Sequence, residues 1–157
     1  MDNGWKAAFE QGWLAFVKGS IPIGAAITDE EGNVISLGRN RLFEKSGNNP
    51  QIAHAETEAI QKLDTYKYPN VRKYTLYSTI EPCPMCMGTF VMSNLRKLKV
   101  AARDSYCGAV HYCKEDPYIV SKGLDYSFDL GCLEDVQLVM QTYFELRRFE
   151  GKMNGIT

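Results

Sequence analysis

Three side chains suited to binding a metal ion, together with one carboxylate, stand in two short segments of the chain. The segments are His54-Ala55-Glu56 and Pro82-Cys83-Pro84-Met85-Cys86. One imidazole and two thiolates are good ligands for Zn²⁺, and three protein ligands leave the fourth tetrahedral position open, as in catalytic zinc sites. The Glu56 carboxylate would carry the proton of a water in that position. We therefore predict one zinc per chain, bound by His54, Cys83 and Cys86, with Glu56 as the catalytic acid and base.

The neighbouring residues predict that both segments lie at helix starts. Residues 53–63 (AHAETEAIQKL) carry apolar side chains at helical intervals, so His54 and Glu56 are expected in a first helical turn. The prolines around Cys83 are tolerated only at or before a first turn, and an apolar run follows them. The positive end of each helix dipole favours the thiolate form that zinc needs. Backbone N–H groups at Ala55 and near Cys83 are predicted to position the polar edge of a substrate.

The remaining pattern alternates helices with strands. Further helices are predicted at residues 2–18 and 133–148, and strands at residues 21–28, 34–42, 74–80, 99–103 and 124–130. The first two strands should form an antiparallel pair, whereas the third and fourth should be parallel across the second metal helix. These elements predict an α/β fold, a three-layer α/β/α sandwich with a mixed, roughly five-stranded sheet. The metal would lie where strands lead into helices, the usual position for ligands in open α/β sheets.

Length and composition are those of one domain, which we assign to residues 1–157. The chain shows no linker, repeat or low-complexity tract, and no apolar run long enough to span a membrane. The N-terminus has no basic segment leading into an apolar one, so no signal peptide is expected. Five cysteines, two of them assigned to metal, favour a reducing compartment. A cytoplasmic protein is predicted, with Cys107, Cys113 and Cys132 as free thiols.

The two metal segments match the H-x-E and P-C-x-x-C pattern of zinc deaminases that act on nucleobases. Further segments, at residues 21–25, 38–41, 79–86 and 102–104, resemble landmarks of one branch of the cytidine deaminase superfamily. That branch contains tRNA adenosine, guanine and fungal cytosine deaminases, and the resemblance runs from about residue 5 to about residue 110. It implies a cytidine deaminase-like fold, a homodimer, and hydrolytic release of ammonia from a nucleobase, a nucleoside or a related small heterocycle.

The resemblance also implies roles for individual residues. The asparagine that matches Asn40 hydrogen-bonds the base, and its amide can donate and accept. Asp104 and Phe144 lie on segments that resemble the branch, and we count them among the substrate-binding residues. Glu81, which precedes the proline of the cysteine motif, resembles the purine-type enzymes more than the fungal cytosine enzymes.

The sequence favours a small substrate over tRNA. Binding dominated by phosphate contacts calls for a basic protein or face, but 18 Lys and Arg stand against 19 Asp and Glu. The loop between Asn40 and His54 is longer than in the tRNA enzymes, and no lysine follows Asp104 where those enzymes lead us to expect one. A tRNA adenosine-to-inosine deaminase remains the alternative, because Arg147 and Arg148 follow an aromatic pair on the last helix, as in that subfamily.

Two interpretations from other classes remain. One is a structural zinc or redox module. A structural zinc site would need a fourth ligand, for which Cys107, Cys113, Cys132 and His111 are candidates. That interpretation leaves Glu56 without a role. A catalytically silent nucleic-acid-binding relative is the other, and the intact Glu56 argues against it as well.

Overall fold

The computed structural model describes residues 2–45, 47 and 49–153 of the chain. The helices are α1 (Asn3–Val17), α2 (Ala55–Lys62), α3 (Pro84–Met92), α4 (Tyr112–Glu115), α5 (Pro117–Val120) and α6 (Cys132–Met153), with 3-10 turns at Pro50–Ile52 and Val71–Lys73. The strands are β1 (Gly24–Thr28), β2 (Val34–Arg39), β3 (Thr75–Ser78), β4 (Lys97–Val100) and β5 (Asp125–Phe128).

The five strands form one mixed sheet in the order β2-β1-β3-β4-β5. Strand β1 is antiparallel to both β2 and β3, while β3, β4 and β5 are parallel to one another. Helix α3 connects β3 to β4, as a parallel crossover requires. The predicted mixed sheet and the parallel pairing of the third and fourth strands are therefore confirmed.

Helices cover both faces of the sheet, and glycines allow two of them to approach closely. A Cβ at Gly24 would collide with the backbone of α1, and a Cβ at Gly38 would collide with the backbone of α2. Gly38 pairs with Ala25, the neighbour of Gly24, and successive residues of a strand point to opposite faces. Helices α1 and α2 therefore lie on opposite faces, which confirms the three-layer sandwich.

Each face has its own apolar core. On the α2 and α3 side the core includes Ala59, Leu76, Phe90 and Leu98. On the α1 side it is built around Trp5, Ala8, Tyr77 and Ala101, with Leu133 at the start of α6 packed against it. The sheet is thus held from both sides at the strand ends that lead into the metal segments.

The structure differs from the predicted elements mainly at their ends. Strands β1, β2, β3 and β5 are shorter than predicted, and β4 begins two residues earlier and ends at Val100. The short helices α4 and α5 were not predicted, because four residues are too few to show a helical period. His54 caps α2 and lies just before its first turn, not within it. Helix α6 extends to Met153, beyond the predicted end at residue 148.

Within the described residues, no helix combines the length and the apolar character needed to cross a membrane. Assignment of residues 1–157 to one domain, the cytoplasmic location and the homodimer stay predictions. Residues 1 and 154–157 of that domain, and residues 46 and 48 of the loop before His54, lie outside the described residues.

Candidate zinc and catalytic site

The start of α2 presents His54 toward the second metal segment. His54 is the N-cap of α2, and its backbone N–H donates to the Thr57 hydroxyl oxygen at 3.2 Å. Gly38 on β2 brings the sheet close to the first turn of this helix, since any larger side chain would meet Ala55. Ala55 is the first residue of α2. The first N–H groups of a helix have no acceptor within the helix, so the Ala55 N–H is available at the helix start.

The start of α3 places both cysteines on the same site. Cys83 is the N-cap with an extended backbone, and Pro84 occupies the first turn, where its missing N–H costs no helical hydrogen bond. Cys86 follows in that turn and is fully buried. The prediction that a helix begins near Cys83 is confirmed.

The three candidate ligand atoms form a nearly equilateral triangle. The His54 Nδ1 atom lies 3.6 Å from Cys83 Sγ and 3.5 Å from Cys86 Sγ, and the two sulfur atoms are 3.5 Å apart. Tetrahedral zinc with bonds of about 2.3 Å to sulfur and about 2.0 Å to nitrogen places its ligand atoms roughly 3.5 to 3.8 Å from one another. The side chains therefore fit a zinc ion with three protein ligands.

No fourth protein ligand joins this triangle in the part of the chain that the structure describes. His54, Cys83 and Cys86 form the only close group of three metal-binding side chains found there. The candidates proposed for a four-ligand structural site, which are Cys107, His111, Cys113 and Cys132, lie outside the group. All five cysteines are free thiols.

Glu56 lies beside the triangle and is almost completely buried, with 3% of its surface exposed. Its Oε2 atom is 3.3 Å from Cys86 Sγ, and its Oε1 atom is 2.8 Å from the Ser78 hydroxyl oxygen. That hydroxyl is also 2.7 Å from the carbonyl oxygen of Ile80. The Ser78 hydroxyl therefore lies between two acceptor oxygens. Burial raises the pKa of the Glu56 carboxyl.

The surroundings of the two thiols shift their pKa values in opposite directions. The hydrogen bond from the Cys86 thiol, assisted by His54, lowers the pKa of Cys83 to about 4. Donating that hydrogen bond, together with burial and the nearby Glu56, raises the pKa of Cys86. The hydrogen bond to Cys83 raises the pKa of His54. The surroundings of Cys83 thus favour the thiolate form in which cysteine binds zinc.

Asn40 lies next to the start of α2, on the same face of the sheet. Ser36 and Gly38 contact α2 at Ala59 and Ala55, and Asn40 is the next residue in this alternation. The backbone N–H of Arg41 donates to the Ala53 carbonyl oxygen at 2.9 Å. Asn40 therefore lies at the end of α2 that carries His54.

The hydrogen bonds of Asn40 fix which way its amide points. Its Oδ1 atom accepts the Leu42 N–H at 3.0 Å and the Ser20 hydroxyl at 2.7 Å. The Ser20 hydroxyl in turn accepts the Phe43 N–H. A backbone N–H can only donate, so the atom facing Leu42 must be the oxygen. Among the described residues no partner takes up the Nδ2 group, which is therefore available as a donor. The hydrogen bond of Asn40 to a base stays a prediction.

The other predicted substrate contacts are engaged within the protein. Asp104 accepts the backbone N–H groups of Tyr106 and Cys107, at 2.8 and 3.2 Å, and so closes its own loop. Phe144 is 5% exposed, and its ring centroid lies 6.1 Å from that of Phe43. Contact of either residue with a substrate stays a prediction.

Sequence reasoning missed several of the contacts around Asn40 and Glu56. Glu44 pairs with both Arg39 and Arg41, while Glu58 pairs with Arg41 and Lys62. These ion pairs fasten residues 39–44 to α2. The close sequence spacing of the arginines and Glu44 could have suggested the first pairs. Nothing in the sequence indicates the buried contacts that Ser20 and Ser78 make with residues about 20 positions away.

The comparisons with known proteins agree with this geometry. Residues 3–102 match the family model described as the cytidine and deoxycytidylate deaminase zinc-binding region, and the chain belongs to that family. Zinc is its cofactor, and its reaction class is hydrolytic deamination at a cyclic amidine C–N bond.

The relatives of known structure or function act on different substrates. The tRNA-specific adenosine deaminase of Rickettsia felis is 32% identical over 142 residues, which is 88% of this chain and 96% of the relative. A structure from a study of A-to-I editing by tRNA:A34 deaminases matches with a TM-score of 0.67 and 26% identity, over 86% of this chain and 96% of that one. The guanine deaminase of Bacillus subtilis matches with a TM-score of 0.56 and 29% identity, over 66% of each chain.

Proposed function

We propose that this enzyme deaminates a free nucleobase, a nucleoside or a related small heterocycle, with Glu56 as the proton carrier. The observation that supports this most directly is the buried Glu56 carboxyl beside the triangle of His54, Cys83 and Cys86. A zinc ion held by these three ligands would lower the pKa of a water in its open position toward neutrality.

Glu56 would serve as base and acid in turn. It takes a proton from the attacking water and delivers it to the ring nitrogen next to the amidine carbon. It then takes the remaining proton of the added hydroxyl group and delivers it to the amino group, which departs as ammonia. Burial favours the neutral form of a carboxyl, so the site retains the proton between these steps. The Ser78 hydroxyl holds the Oε1 atom in place.

Charge pairing near Asn40 supports a small substrate. Arg39 and Arg41, the basic residues that flank Asn40, are paired with Glu44 and Glu58. Their positive charges are compensated within the fold, whereas binding to a nucleic acid draws on cations that neutralise phosphates. The same ion pairs fold residues 39–44 against α2, which suits a site that closes around a small ligand.

A tRNA adenosine deaminase is the second candidate. The similarity to the Rickettsia felis enzyme favours it. So does the end of α6, where the Arg148 guanidinium lies 4.3 Å from the centroid of the Phe43 ring and Arg147 is exposed. Aromatic rings and guanidinium groups are the side chains on which bases stack in single-stranded nucleic-acid sites.

An ammonia-release screen with zinc-loaded protein separates these two candidates. The panel is cytosine, guanine, adenine, their nucleosides and an anticodon stem-loop that carries adenosine. We expect at least one base or nucleoside to be converted faster than the stem-loop. Conversion of the stem-loop alone would contradict the proposal, particularly if its affinity fell steeply with added salt and with the Arg147→Ala, Arg148→Ala double substitution.

The donor role of Asn40 leads to a prediction for Asn40→Asp. The aspartate keeps the shape of the side chain and both incoming hydrogen bonds at Oδ1, but it replaces the donor with an acceptor oxygen. An acceptor facing the substrate's own acceptor should raise KM by about 10- to 100-fold, with a smaller change in kcat. Steady-state kinetics on the best substrate of the panel measures both. Asn70→Asp, at an exposed position, is the matched control, and an unchanged KM for Asn40→Asp would remove Asn40 from the substrate site.

A further inference from the structure

We propose that Glu81 is a positioning residue that holds the loop of residues 103–110 as one wall of the substrate site. The inference rests on the proposed function, because it assigns a wall to that same site. Glu81 itself contacts none of the reacting groups and would act through the loop.

The Glu81 carboxylate bridges the two ends of this loop. Its Oε2 atom accepts the backbone N–H of Asp104 at 3.2 Å, and its Oε1 atom accepts the backbone N–H of Val110 at 3.1 Å. Two backbone hydrogen bonds flank the carboxylate. The Glu81 N–H donates to the Ala102 carbonyl oxygen at 2.8 Å, and the Ala109 N–H donates to the Pro82 carbonyl oxygen at 2.9 Å. The loop is therefore fastened to the segment that leads directly into Cys83.

The loop fits closely around the carboxylate. A Cβ at Gly108 would lie only 2.6 Å from Glu81 Oε2, so glycine is the residue that leaves room for the carboxylate. On the other side, Asp104 accepts the N–H groups of Tyr106 and Cys107, and its carbonyl oxygen accepts the Gly108 N–H. The Asp104 carboxylate thus closes the loop on itself, and the Glu81 carboxylate fastens it to the segment before Cys83.

The anchored loop adjoins the catalytic groups. It follows β4, whose last residue Val100 pairs with Ser78, the serine that contacts Glu56. Partial burial and the hydrogen bond to Asp104 raise the pKa of the Cys107 thiol to about 12. The far end of the loop lies beside a metal ligand, because the Ala109 N–H donates to the carbonyl oxygen of Pro82, the neighbour of Cys83. Tyr106, beside Cys107, is 96% exposed and available to a ligand at the rim.

The sequence contains Glu81 and Gly108 but does not indicate that they lie in contact. Glu81 and Gly108 are 27 positions apart, and only the parallel alignment of β3 and β4 brings them together. Glu81 is the residue by which this segment resembles the purine-type enzymes, and in this chain it has a structural role. It sets the position of a loop instead of contacting the base.

The test compares Glu81→Ala with Asp64→Ala. Asp64 also accepts two backbone N–H groups, those of Tyr66 and Lys67, but in an exposed turn after α2. For Glu81→Ala we expect KM to rise by about tenfold or more, with kcat within about threefold of wild type and zinc still stoichiometric. Asp64→Ala should leave KM unchanged. Glu81→Gln keeps the size of the side chain but offers one acceptor oxygen, so its KM should be intermediate.

A second readout needs no substrate. Alkylation of Cys107, followed by peptide mapping, should be slow in wild type and several times faster in Glu81→Ala, because a released loop loses the contact between Cys107 and Asp104. Unchanged alkylation would overturn the anchoring role, and faster alkylation with an unchanged KM would overturn the role in the substrate site. Should Glu81→Ala fail to fold, Glu81→Gln decides by the same two readouts. Absence of turnover in wild type would contradict the proposed function, while the alkylation rate would still test the anchor.

Discussion

Replacing Cys83 and Cys86 together with serine is expected to abolish zinc binding and to lower stability in the same variant. The three ligand atoms lie within 3.6 Å of one another, and two of the three would be lost. Binding of a metal to the folded state alone stabilises that state, by about 2.7 kcal/mol when free metal is 100 times its dissociation constant. Metal analysis of the purified protein and thermal unfolding with and without added zinc measure both effects.

The matched control removes two other thiols, in a Cys113→Ser, Cys132→Ser double variant. Neither residue belongs to the metal-binding group, so about one zinc per chain should be retained and zinc should still raise the unfolding temperature. Stoichiometric zinc in the Cys83→Ser, Cys86→Ser variant would show that the metal is bound elsewhere.

The zinc site could be predicted from the sequence because its parts are local. His54 and Glu56 are two residues apart at one helix start, and Cys83 and Cys86 are three residues apart at another. Helix capping and proline placement fix those starts within a few residues. The one feature of the zinc site that local sequence could not predict is the long-range contact between the two helix starts.

The substrate side of the site could be predicted only in part, because it depends on long-range contacts. The orientation of the Asn40 amide is set by Leu42, two residues away, but also by Ser20, which the fold brings from before β1. The carboxylate of Asp104, whose contact with a substrate stays a prediction, accepts two N–H groups of its own loop, which the sequence did not indicate. That loop is anchored by Glu81, a residue for which the sequence suggested no contact at all.

The same distinction applies to the fold. The number of strands, the order of the major elements and the layering follow from hydrophobic patterns, so the sequence predicted all three. Strand β1 is buried along its whole length, so no alternation marks where it begins, and its predicted start at residue 21 was too early. In contrast, α5 did carry a local signal that was missed. Asp116 accepts the Ile119 N–H as a cap, and Pro117 begins the helix.

Glu56→Gln is expected to keep the fold and the zinc while losing most of the turnover. The amide preserves the size of the side chain and can still contact the Ser78 hydroxyl, but it cannot take up and release a proton in the reaction. General acid and base contributions are commonly about 10²- to 10⁴-fold, so kcat should fall within about that range. Metal content and thermal unfolding should match wild type. Glu31→Gln, in the exposed turn between β1 and β2, is the matched control and should retain wild-type kcat.

The comparison of zinc-loaded wild type with zinc-loaded Glu56→Gln is the most direct test that this triangle and its neighbouring carboxyl form a deaminase site. Ammonia release is measured at equal metal content on the best substrate of the panel. The proposed mechanism predicts about one zinc per chain in both proteins and a kcat at least about 100-fold lower in the variant. Near-normal turnover in a fully zinc-loaded Glu56→Gln would contradict it, because the proton carrier would then be another group.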